Sequence, residues 1–161
     1  PLQDTVAAFQ QLVADGKIRY WGVSNFDHLA LADLRDVPGS GGLATDQVLY
    51  NLLRRGPEYD LLPWCADHQL PVMAYSPIEQ GRILHDATLN DVAAGHSVSP
   101  AAAALAWVLR RDSLCAIPKA SSPQHVRDNA TALEVELTRE DLDALDRAFP
   151  PPSGPRPLEM L

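Results

Sequence analysis

The sequence predicts an α/β fold built on a parallel sheet. Two observations carry this. Helix-like and strand-like segments alternate along the chain, beginning with a helix, and such alternation implies parallel strands joined by right-handed crossovers. Each of four strand candidates also ends in a polar cluster: Ser24-Asn25, Tyr50-Asn51, Tyr75-Ser76 and Lys119 to Ser122. Loops at the carboxyl ends of parallel strands form the functional face of such folds.

The elements follow in order. Val6, Phe9, Leu12 and Val13 recur at helical spacing, and Asp15-Gly16-Lys17 closes that helix. Residues 18–23 (IRYWGV) read as a strand, and Asp27 N-caps a helix carrying Leu31 and Leu34. After the break at Pro38 to Gly42, residues 45–49 are the second strand. A helix is expected over 58–69, and 71–75 is the third strand, ended by Ser76-Pro77. A short helix near 90–94 precedes a longer one over 100–110, started by Ser99-Pro100. Residues 114–117 are the fourth strand. Ser122-Pro123 starts a helix running to Leu133, and Thr138 to Asp141 resembles a capping box with Asp in place of Glu or Gln. The last helix runs to about Ala148, before a proline-rich tail.

The 161 residues suffice for one domain with a real core. A net charge of -8 repels phosphate backbones, which argues against nucleic-acid binding but leaves room for a local basic pocket. No apolar run approaches a membrane span, and no signal peptide is visible. Cys65 and Cys115 read as buried free thiols, which points to a reducing cytoplasm. The five histidines show no metal-ligand spacing, so no metal is expected. Neither a G-x-G-x-x-G motif nor a P-loop is present. The chain opens on Pro1-Leu2-Gln3-Asp4 without a methionine, as a piece of something longer or a processed chain would.

Four segments carry a family resemblance: residues 16–26 (GKIRYWGVSNF), 47–51 (QVLYN), 74–77 (AYSP) and 117–129 (IPKASSPQHVRDN). In this order, each at a strand end, they resemble the second half of the aldo-keto reductases, (β/α)8 TIM-type barrels that use NAD(P)H. Residues 56–65 (GPEYDLLPWC) and the ending 150–154 (PPPSG) are most similar to the bacterial methylglyoxal-reductase-like branch. The resemblance implies a partial barrel over residues 1–161. The chain would begin at the helix before strand five, supply strands five to eight, and carry none of the family's Asp, Tyr, Lys and His tetrad. Neither Tyr50 nor Tyr75 lies in the family's tyrosine motif. The implied reaction is hydride transfer from a nicotinamide to a small aldehyde or ketone, with a tyrosine giving the proton.

The resemblance also assigns cofactor contacts. Ser24, Asn25 and Gln47 would hold the nicotinamide carboxamide; loop capping is the simpler use of Ser and Asn here. Tyr75 would stack on the ring, although strand-end aromatics also serve as packing. Ser76, Ile78 and Gln80 would line the diphosphate path, and Tyr50-Asn51 would either face substrate or cap a strand. Lys119 is a flexible point charge suited to a phosphate, and Ser121 and Ser122 open a helix whose free N–H groups attract anions. This seat would take the 2'-phosphate of NADP, with Asp128 and Asn129 at the adenine. His125 replaces the arginine that many relatives carry, and a histidine is mostly neutral at pH 7. NADP is therefore the expected cofactor, with NAD left open.

Four strands of an opened barrel would expose two sheet edges and a large apolar inner face, predicting self-association or pairing with a missing N-terminal half. A non-catalytic half-barrel that binds nucleotide or a partner protein is the alternative reading.

Overall fold

A computed structural model describes residues 1–161. Strands β1 (Trp21–Ser24), β2 (Leu43–Leu49), β3 (Val72–Tyr75) and β4 (Leu114–Ala116) form one sheet in that order, every pair parallel. The helices are α1 (Leu2–Ala14), α2 (His28–Arg35), α3 (Leu61–Asp67), α4 (Ala87–Gly95), α5 (Pro100–Leu109), α6 (Pro123–Ala130) and α7 (Arg139–Ala148).

Local signals explain most helix starts. The side chains of Asp27, Asp86, Ser99, Ser122 and Thr138 each accept a bond from a backbone N–H of the first turn. At α7 the capping box is complete, because Asp141 accepts in return from the Thr138 N–H at 2.8 Å. The same carboxylate meets His96 Nε2 at 2.8 Å and so ties α7 to the end of α4. The Asp15 and Lys17 carboxylate and ammonium pair beyond α1, whose last carbonyls accept from Gly16, Lys17 and Ile18. Ile18 thus belongs to the helix closure, and β1 begins only at Trp21.

Alternation along the strands puts the core on one face of the sheet. Val48, Val72 and Ala74 are buried against Leu31, Leu61, Leu89, Trp107 and Leu145 from five helices. Each fully buried leucine contributes roughly 2 kcal/mol. A smaller cluster of Val6, Trp21, Leu34 and Val37 seats α1, with Phe9 stacked on Trp21 at 5.1 Å. Gly22 is required where β1 crosses β2: a Cβ there would stand 2.7 Å from the Thr45 methyl and carbonyl oxygen.

The opposite face mixes apolar and polar side chains, with Leu49 and Tyr75 in one cross-strand pair. Cross-strand register aligns Ser24, Gln47, Met73 and Cys115 in one row, half of it polar. Cys115 is exposed rather than buried, because Leu114 and Ala116 take the helix-packed side of β4. Cys65 is buried in α3, and burial, with the neighbouring Asp46 adding to it, pushes its thiol up to about 12. A chromogenic thiol reagent should therefore label one cysteine per native chain, Cys115, and reach Cys65 only on unfolding. Equal labelling of both would contradict this packing, and protection of both would mean that another chain covers the row.

No single helix is long and apolar enough to cross a membrane. The apolar pair α4 and α5 is bent by 87° and packs into the core.

Candidate cofactor site

The strand ends bring three groups of side chains to one end of the sheet. At β1 and β2, the Ser24 hydroxyl and the Asn25 N–H both donate to the Gln47 carbonyl, each at 2.9 Å. This fastens the β1 turn onto β2. Asn25 adopts φ 59, a left-handed conformation that Asn tolerates, and its side-chain oxygen is buried without a partner. An orphaned acceptor in a turn tied to the Gln47 backbone is what a carboxamide-binding turn would present.

Behind this turn lies Asp46, fully buried on the helix-packed side of β2. Neither carboxylate oxygen has a hydrogen bond of good geometry. Burial pushes its pKa up to about 7, and the nearby Phe26 and Gln47 N–H groups offset only part of that cost.

At β3 and β4, Ser76, Pro77, Ile78, Gln80, Gly81, Ile117 and Lys119 line one cleft of about 380 Å³. The structure thus joins three of the expected diphosphate-path residues to Lys119 across more than 35 positions of sequence. Tyr75 stands on the open face of the sheet in register with Leu49. Ser122 caps α6 by accepting from the His125 N–H at 3.2 Å, and Ser121 is exposed just before it. His125, Asp128 and Asn129 share one helix face by their i, i+3, i+4 spacing. Asp128 already accepts from Gln124 at 2.7 Å.

Tyr50 and Asn51 do not face a substrate space. Both are fully buried. The Tyr50 hydroxyl donates to Glu58 at 2.8 Å, and burial raises its pKa to about 12. Asn51 is a bracket: its amide donates to the Ser76 carbonyl at 2.9 Å and to Glu79 at 2.8 Å, while its oxygen accepts from the Leu53 and Arg54 N–H groups.

Glu79 and Arg54 escape a reading of the sequence. Glu79 is 1% exposed in the middle of the cleft loop, between two residues expected to contact the cofactor. Two of its partners, Arg54 and Asn51, lie 25 and 28 positions upstream, where no local spacing signals them. The sequence offers only local hints: a carboxylate between Pro77 and Gly81, and Arg82 three positions on.

Residues 1–149 match the model of the aldo/keto reductase family. Methylglyoxal reductase YeaE of Escherichia coli is 49% identical over 99% of this chain and 58% of its own length. The NADH-specific methylglyoxal reductase of the same organism is 32% identical over 91% of this chain and 56% of its own. A Klebsiella pneumoniae aldo/keto reductase, solved in complex with NADP and acetate, superposes with a TM-score of 0.97 at 47% identity. That match covers 100% of this chain and 59% of the other. The chain therefore spans a little over half the length of the relatives it matches, and its four parallel strands with their helices are part of a (β/α)8 barrel. It belongs to the aldo/keto reductase family.

Proposed function

We propose that this chain is the cofactor-holding C-terminal half of an NAD(P)H-dependent reductase of small aldehydes and ketones, methylglyoxal among them. The observation that carries the reading is the orphaned Asn25 oxygen after β1, at the same end of the parallel sheet as the cleft lined by Lys119. The activity of the E. coli relatives and the NADP bound to the Klebsiella protein support it.

Each residue has a task in this reading. Ser24, Asn25 and Gln47 orient the carboxamide, and Tyr75 covers the ring. Ser76, Ile78 and Gln80 receive the diphosphate. Lys119, with Ser121, Ser122 and the start of α6, receives the 2'-phosphate, and His125, Asp128 and Asn129 border the adenine. A bound nicotinamide would supply the hydride for the carbonyl carbon. The proton for the carbonyl oxygen would come from a tyrosine outside these residues, because Tyr50 is sealed in the core.

Calorimetric titration tests the binding part. NADPH should bind saturably, and Lys119→Ala should weaken NADPH about tenfold while changing NADH by less than about twofold. Equal losses for both nucleotides would remove the 2'-phosphate assignment. NADPH oxidation with methylglyoxal tests the rest: turnover by residues 1–161 alone would overturn the placement of the proton donor outside them.

A further inference from the structure

The loop lining the cleft is strained. Glu79, Gln80 and Gly81 follow one another at φ 47, 56 and 89, and Ser76 stands at φ 46. Left-handed conformation is unfavourable for a residue with a side chain, so the loop needs something to hold it. The Glu79 carboxylate is well placed to do so. It is 1% exposed and accepts from the Asn51 amide at 2.8 Å. It also accepts from Arg54 Nε and Nη2 at 3.2 and 3.0 Å, and from Arg82 Nη1 at 3.3 Å. Asn51 simultaneously holds the Ser76 carbonyl, which accepts the Glu79 N–H at 2.9 Å. The Gly81 N–H closes the turn on the Ile78 carbonyl at 2.8 Å. The strained backbone is thus fastened to the end of β2 at both of its corners. Arg54 reaches onward to Glu159 of the C-terminal tail at 2.8 Å.

We propose that Glu79 is a positioning residue, whose buried carboxylate holds the turn at residues 78–81 in the shape that receives the cofactor diphosphate. The ligand in this statement rests on the proposed function, but the turn can be followed without any nucleotide. Positioning and simple charge predict opposite signs. Glu79→Gln removes a negative charge beside the cleft, so electrostatics alone would make an anionic nucleotide bind more tightly. Loss of the turn makes it bind more weakly.

The test pairs amide hydrogen exchange of the free chain with titration of NADPH and of 2'-AMP, which has no diphosphate bridge. In Glu79→Gln the amides of Glu79 and Gly81 should exchange at least about tenfold faster, while those of α5 keep their rates. NADPH should weaken about tenfold and 2'-AMP should not change. Glu159→Gln cuts only the exposed tie to the tail and should leave NADPH affinity within about twofold. Unchanged exchange at Glu79 and Gly81, tighter NADPH binding, or equal weakening of both nucleotides would each overturn the proposal. If the unaltered chain binds neither nucleotide, the cofactor reading fails, and exchange alone decides whether Glu79 holds the turn.

Discussion

Glu58→Gln is expected to destabilise the fold by about 3 to 5 kcal/mol, the usual result of removing one partner from a buried ion pair. The Glu58 side chain is 6% exposed, as is that of Arg55. Its oxygens accept from Arg55 at 3.0 and 2.9 Å and from Tyr50 at 2.8 Å, with Arg111 at 3.3 Å and Arg110 at 3.6 Å. Burial by itself would raise its pKa, but Arg55 and the other donors outweigh burial, and the carboxyl is held below its usual range. With glutamine there, three guanidinium groups would face one another with only Asp146 left, and Asp146 is half-exposed. Arg55 and Arg110 also flank the Trp107 ring, at 5.0 and 3.8 Å from its centre, so the loss spreads into the main core. Urea unfolding at pH 7 measures it. Arg111→Ala, which removes the most exposed of the three arginines, should cost less than about 1 kcal/mol. A Glu58→Gln loss as small as that would mean the network is solvated. Because the folded pKa of Glu58 is depressed, its contribution is fully present above the unfolded value of 4.5 and fades as pH falls below it.

Asp46→Asn should do the reverse and stabilise the fold, increasingly so as pH rises. In the unfolded chain Asp46 titrates near 3.8; in the fold it titrates near 7. Between those values the folded state binds a proton that the unfolded state has lost, so stability falls with rising pH. The slope is about 1.4 kcal/mol per pH unit. Asparagine keeps the shape and cannot ionise. The stability gap between variant and unaltered chain should widen by roughly 2.5 kcal/mol from pH 5 to pH 8. Urea midpoints at the two pH values read this directly, and parallel curves would show that Asp46 finds a partner.

The fold was legible where one residue type has one local use. Ser99-Pro100, Ser122-Pro123 and the Thr138 to Asp141 box all start helices where their chemistry says they should. Polar clusters at strand ends pointed to the cleft for the same reason. The differences arise where partners are distant or where one residue serves two purposes. Ile18 has β-branched, strand-like character, but the end of α1 uses it for closure. The helix near residue 90 starts earlier, because Asp86 caps it through the Leu89 N–H at 2.9 Å. Cys115 followed an apolar run, yet a strand's two faces alternate and only one meets helices. Tyr50-Asn51 looked like a site because polar groups at strand ends often are one; here their partners are Glu58 and Glu79, which are buried too.

The Arg55 network has a temporal side. Arg55 lies 91 positions before Asp146 and 94 before Phe149, whose carbonyl it also binds. At the usual pace of synthesis, about 5 to 20 residues per second, some 5 to 20 s separate the making of one partner from the other. Through that interval Arg55 lacks its Asp146 and Phe149 acceptors, and the core around Trp107 lacks Leu145 and Phe149. The last helix to emerge is therefore the one that lets the middle of the chain become dry.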